Sequence, residues 1–171
     1  MDADLIARRF PLVPRPRPAC PSLAERISQL GDLARTAHHN GNRTLAAAVQ
    51  NKAALIASDC GLHDLARTLC WRHFQCYLNN RPLDAESARH ALEPLVNLAR
   101  LLIRTGNGSS AHELLNTLYD AVTSRSDTTI DGRTVSLGNL TSSGSDYNAL
   151  RQWLWAVLLA DATRALASAG R

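Results

Sequence analysis

Four side chains between positions 60 and 76 have the types, though not obviously the spacing, of metal ligands. The run Cys60-x2-His63-x9-His73-x2-Cys76 offers two thiols and two imidazoles, the donors that a tetrahedral zinc ion takes. If His63 to Leu78 is one helix, His63 and His73 stand about 15 Å apart along its axis, whereas every ligand of one ion must lie within about 2.3 Å of it. That spacing excludes a single site on a continuous helix, and no metal is expected. Cys60, beside the start of the same helix and close to His63, is the second candidate, because a helix N-terminus and an imidazole both favour a nucleophilic thiolate. No orienting partner or oxyanion device accompanies it, so a turn cysteine is the preferred reading. The sequence also has no glycine-rich phosphate loop and no Gly-x-Ser-x-Gly elbow. It reads as non-enzymatic, without a cofactor.

A DNA-reading helix-turn-helix at about 53–74 is a third use of the same stretch. Ala57, Gly61, Leu62, Ala66 and Leu69 fit its small, turn and apolar positions, and His63, Arg67, Thr68 and Arg72 would face the groove. Against this, both helices are longer than such a module needs, and Asp64 would oppose phosphate. His38 and His39 fall in the last turn of a preceding helix, where imidazolium is favoured by the macrodipole, and are read as a helix end rather than as ligands.

The elements that carry these residues are helical. Thr44 to Leu78 holds two apolar patterns of helical period that meet at Ser58-Asp59-Cys60-Gly61-Leu62, with Gly61 as the left-handed stop of the first. After the turn, Leu62, Leu65, Ala66, Leu69, Cys70, His73 or Phe74, and Tyr77 mark one face. Before it, Ser22 with Glu25 makes a capping box for a helix to about His39, with Leu23, Ile27, Leu30, Leu33 and Ala34 as its buried side. Asn40-Gly41-Asn42 turns the chain into a second helix, Arg43 to Ser58, with Leu45, Ala48, Val49, Ala53, Leu55 and Ile56 as its apolar residues. Asp84 caps a fourth helix to Thr105 that contains Pro94, and Gly106-Asn107-Gly108 leads to a fifth carrying Leu114, Leu115, Leu118 and Val122. From Ser124 to Asp146 the helical period is lost, and Asp131-Gly132 between β-formers predicts a small hairpin near 129–136. The sixth helix runs from about Asp146 to Ser168, with Leu166 among its buried residues. On it, Asp161 and Arg164 read as a local ion pair contributing about 0.3 kcal/mol.

Composition agrees with an all-α class. The 171 residues are rich in Ala and Leu and poor in aromatic and β-branched side chains, and a chain of this length buries about 70% of its unfolded surface without needing staples. The formal charge is +4, with Lys52 the sole lysine among 19 basic residues, and the basic residues are scattered rather than clustered. No signal peptide is visible, the longest uncharged apolar run, Trp153 to Ala160, is too short to cross a membrane, and the cysteines fit a reducing compartment. The expectation is a soluble cytoplasmic protein. Residues 1–21, with Arg8, Arg9, Arg15, Arg17 and five prolines between Pro11 and Pro21, read as an extended Pro/Arg-rich arm, and residues 22–171 as a single helical domain.

Gly41-x4-Ala46, Gly61-x4-Ala66 and Gly106-x4-Ala111 repeat one turn signal, and this spacing resembles the turn and second helix of a tetratricopeptide (TPR) unit over residues 45–122. The Trp, Tyr and terminal Pro of that motif are not at their usual places. Ser58-Asp-Cys-Gly-Leu, Leu65-Ala-Arg, Leu69-Cys-Trp71 and Asp131-Gly-Arg133 are similar to a group of uncharacterised actinobacterial helical-repeat proteins, whose chains continue beyond the equivalent of Arg171. That resemblance implies a bacterial origin, a short relative or a fragment, and a sixth helix with one apolar side unpaired, through which a homo-oligomer can form. The TPR resemblance implies a right-handed stack of antiparallel helix hairpins, an α-solenoid, whose first helices line a concave groove. It places Asn51, Asn97, Arg100 and Arg104 there, as groups that grip a peptide backbone or carboxylate. The expected function is therefore a protein-binding scaffold whose partner is a peptide or protein, and the alternative is the DNA-binding regulator.

Overall fold

The computed structural model describes residues 21–79 and 81–169. The arm expected over 1–21 lies, apart from Pro21, outside the described residues. The elements in order are α1 (Leu23–His39), α2 (Arg43–Asp59), α3 (His63–Leu78), α4 (Ala85–Arg104), α5 (Gly108–Ser124), β1 (Thr128–Ile130), β2 (Arg133–Val135) and α6 (Gly144–Ser168). The class is all-α with one small antiparallel sheet, as composition and periodicity require.

Local chemistry sets the helix boundaries. Ser22 Oγ accepts from Glu25 N at 3.2 Å, Asn42 Oδ1 from Leu45 N at 2.9 Å, and Asp84 Oδ1 from Ser87 N at 2.8 Å, each satisfying an otherwise orphaned donor of the first turn. Three helices end alike. After α2, Gly61 N donates to Ser58 O at 3.1 Å and Leu62 N to Ala57 O at 2.9 Å, the paired bonds of a Schellman motif, and Gly41–Asn42 and Gly106–Asn107 repeat them after α1 and α4. Gly61 has φ +75°, open to glycine at little strain.

Each helix packs against its chain neighbours, and α4 also meets α6. The core is centred on α4, where Ala88, Ala91, Leu92, Leu95, Val96 and Ala99 are almost wholly inaccessible, and Pro94 is buried within the same helix. Around it gather Leu115, Leu118 and Val122 of α5 and Leu150 and Leu154 of α6. Gly108 opens α5 where it meets the end of α6: a Cβ there would stand 2.0 Å from the carbonyl oxygen of Ala165. Among the described residues no helix is long and apolar enough to cross a membrane.

Several expected faces differ. In α1 only Ala37 is buried, while Leu23 and Ile27 are 46% and 54% exposed, because among the described residues α1 packs chiefly on α2. In α2 the buried residues are Ala47, Ala54, Ala57 and Ser58. Small side chains serve there because the helix is crowded, and the larger Leu55 stays exposed. In α3, Leu62 and Leu65 are exposed and Trp71 is buried instead. Leu166 of α6, expected inside, is also exposed.

The hairpin falls where Asp131-Gly132 places it, with both residues in the left-handed region and Thr128 paired to Val135. It does not project: Ile130 and Val135 are in the core, and the following loop buries Leu137 and Leu140. The Tyr147 hydroxyl fastens that loop, donating toward Leu137 O and Gly138 O at 2.8 and 2.9 Å and accepting from Leu140 N at 3.1 Å. Asp127 accepts from Ser136 Oγ and Leu137 N.

Candidate functional site

The helices α2, α4 and α6 turn a set of polar side chains toward one another. On α2 the relevant positions are Asn51, Ser58 and Asp59, seven and eight residues apart, about two helical turns. On α4, Asn97, Arg100 and Arg104 recur at three and four residues, so they share a face. On α6 the position is Asp161.

These residues form a row of two hydrogen-bonded groups. Asn97 Nδ2 donates to Asn51 Oδ1 at 3.0 Å, and Arg100 donates through one terminal nitrogen to Asn97 Oδ1 at 3.2 Å. The rest of the Arg100 guanidinium, Nε and the other terminal nitrogen, holds Asp161 Oδ2 at 2.9 Å each, and Arg164 donates to Asp161 Oδ1 at 3.1 Å. Farther along α4, Arg104 donates to Ser58 Oγ at 2.5 Å and to Asp59 Oδ1 at 3.2 Å. Arg26 of α1 closes the row on Asp59 Oδ2 at 3.0 Å. The Arg26 hydrogen bond, helped by Arg104 and opposed by partial burial, holds the Asp59 carboxyl below its usual range.

Thus Asn51, Asn97, Arg100 and Arg104, expected on the first helices of successive pairs, are brought together across α2 and α4. Within the row four guanidinium groups share two carboxylates, and the side chains of Arg100 and Arg104 are each 48% exposed. An acidic group arriving from solvent meets a surplus of positive charge whose members are already oriented by neighbours. Beside Arg26 a hollow of about 180 Å³ extends the surface between α1 and α2, floored by Leu30, Leu33, Leu55 and Ile56.

Sequence reasoning missed Asp161 and Ser58. Asp161 pairs with Arg164 as expected, but its carboxylate is 1% exposed and also joins α6 to α4 through Arg100, so its strength differs from that of an isolated exposed pair. A signal was present: Asp161 is the only charge between Arg151 and Arg164, and a lone acid in such an apolar run must find a buried partner. Ser58 carried no such mark.

The other candidates do not assemble. The helix α3 is continuous from His63 to Leu78, which separates His63 from His73, and among the described residues no group of three or more His, Cys, Asp or Glu side chains could hold a metal ion. Cys60, Cys70 and Cys76 are free thiols, and Cys20 lies outside the described residues. Burial pushes Cys70 up to about 11, which keeps it protonated and unreactive, and Cys76 is also raised. His73 is buried, its Nδ1 lacks a partner, and desolvation brings it down to about 4. Arg67, expected to face DNA, instead donates from Nε to Asp131 Oδ2 at 2.6 Å. The same oxygen accepts from the Trp71 indole at 3.2 Å, and Arg133 lies over the Trp71 ring. The hairpin therefore occupies the outer side of α3. Compared with protein-family models, with curated proteins and with solved structures, the chain finds no match.

Proposed function

We propose that this chain is a non-enzymatic scaffold of the TPR-like, helical-repeat kind, which binds an acidic peptide or protein segment along the row from Asn51 to Arg104. One observation carries the reading: four polar residues from two helices, the first and last 53 positions apart, meet on one side of the molecule, with two arginines half exposed among them. Asn side chains offer both a donor and an acceptor to a peptide backbone, and arginine offers a planar fork to a carboxylate. The bonds to Ser58 and Asp161 hold the arginines in place before a ligand arrives, which lowers the entropic penalty of binding. A cytoplasmic, bacterial setting fits the free cysteines and the arginine-rich composition. In the helix-turn-helix alternative Arg67, one of its four groove-facing residues, is engaged by Asp131 instead.

An array of peptides graded in acidity, with free and amidated C-termini, tests the proposal by fluorescence anisotropy. The expected result is binding that rises with acidic content and weakens about tenfold, or 1.4 kcal/mol, in Arg104→Ala. An Arg104→Lys variant should recover part of the affinity. Equal binding by Arg104→Ala, or preferential binding of basic peptides, overturns it.

A further inference from the structure

The helix α4 has a second side. At about 100° per residue, Leu98, Leu101 and Leu102 lie about a third of a turn from the face that carries Asn97, Arg100 and Arg104. These leucines floor a groove between α3 and α5, made of two adjoining hollows of about 320 and 350 Å³ that share Leu102 and Asp131. Leu114 of α5 and Ile130 of β1 extend the apolar floor. Either hollow has the size of a small-molecule site, whose usual form is an apolar concavity with a few placed polar groups.

The charge along this groove is negative. Asp64 of α3 lines the first hollow, Glu113 of α5 the second, and Asp131 both. Arg67 is the only lysine or arginine along it, and its Nε is held by Asp131 Oδ2 at 2.6 Å, with the His63 imidazole on the same hollow. The Trp71 indole donates to that same oxygen, so the second carboxylate oxygen of Asp131 carries neither bond. Neither Asp64 nor Glu113 has an ion-pair partner among the described residues, although basic residues outnumber acidic ones in the chain. The helix dipole accounts for Asp64, in the first turn of α3, but Glu113 lies beyond the first turn of α5, where that attraction has faded. Ser110, Thr117 and Thr129 set hydroxyls on the same hollow as Glu113.

We propose that this groove binds a primary amine carried on an apolar ring or chain. The ammonium group is received by Glu113 and the hydroxyls beside it, and the apolar body lies over Leu102 toward Leu98 and Leu101. Charge decides the occupant. A wholly apolar ligand strips water from Glu113 without replacing it, and an anion meets three carboxylates against one arginine that is already engaged. A cation has the complementary sign. An ammonium, compact and with three donors, matches one carboxylate among hydroxyls, whereas a guanidinium is best met by two coplanar acceptors. The inference does not rest on the peptide-binding reading, because the groove shares no residue with the polar row.

Isothermal titration calorimetry of the full chain with tryptamine tests it. The control ligand is indole-3-propionate, which has the same ring and linking arm but the opposite charge. Tryptamine should bind with a Kd below about 1 mM, and indole-3-propionate at least about tenfold more weakly. Glu113→Gln, at an exposed position of α5, should weaken tryptamine about tenfold with an unchanged circular dichroism spectrum. Asp120→Asn removes the same charge from an exposed position of α5 outside the groove and should leave the affinity as it was. The proposal is overturned if tryptamine fails to bind at that concentration, or if the two ligands bind equally. It is also overturned if Glu113→Gln has no effect, or if Asp120→Asn weakens binding as much, which identifies attraction to the overall charge rather than to this groove.

Discussion

The buried imidazole of His73 makes stability fall with acid in a way that can be worked out in advance. Its side chain is 3% exposed and its Nδ1 has no hydrogen-bond partner, so the charged form loses its hydration without compensation. Desolvation dominates, a small favourable contribution from Glu93 is offset in part by His90, and the group titrates at about 4 against an ordinary 6.5. Because the folded value is depressed, the unfolded chain takes up a proton first as pH falls, and stability is lost progressively between about 6.5 and 4. At 1.36 kcal/mol per unit the full loss approaches about 3 kcal/mol, and about 2 kcal/mol of it is spent by pH 5. Urea unfolding of the native protein and of His73→Leu at pH 7.5 and pH 5 measures this, since the remaining histidines contribute to both proteins and largely cancel in the difference. The native protein should lose about 2 kcal/mol more than the variant over that interval. If both lose the same amount, the imidazole is solvated or paired, and the reasoning from its burial fails.

Gly108→Ala should lower stability by about 2 kcal/mol, and Tm by about 4–8 °C, because the new methyl group meets the Ala165 carbonyl at 2.0 Å and α5 must move away from α6. Thermal unfolding followed by circular dichroism reads the effect, and an unchanged Tm means that the helix ends are not in contact. Tyr147→Phe removes a hydroxyl bonded to three backbone groups and should destabilise by about 1–3 kcal/mol. Amide exchange at Leu140 should accelerate beyond what global unfolding explains, and an unaltered rate argues against the clamp.

Helix boundaries were legible because each depends on a few adjacent residues. Gly41, Gly61 and Gly106 end helices in the same geometry, and Ser22, Asn42 and Asp84 start them, so local chemistry suffices. Which side of each helix is buried was less legible. The apolar side of α1 is plain in the sequence, but nothing there indicates that α2 alone would cover it. In α2 the alanines are inside because α1 and α3 pack closely against it, and periodicity ranks Leu55 above Ala54 by size. Of the candidate site, Asn51, Asn97, Arg100 and Arg104 stood out by residue type, and the last three by their spacing of three and four. Their mutual contacts depend on relations across 46 positions and on Asp161, whose partner on α4 no local pattern names. The segment 124–146 lost its period because its backbone is organised by side chains, Asp127 and Tyr147, rather than by repeating hydrogen bonds.

The bonds from Arg67 and Trp71 to Asp131 span 64 and 60 positions and join the strand turn to a helix whose other packing, among the described residues, is against α2 and α4. In an array of helices that touch only their neighbours, unravelling can proceed from either end one layer at a time. This clasp links the segment before α6 to α3, so the layers between them must melt as one body. The helices α1 and α2 lie outside the clasp, and α1, with Ala37 its single buried residue and Arg26 bonded to Asp59, is the layer that should open at the lowest free energy.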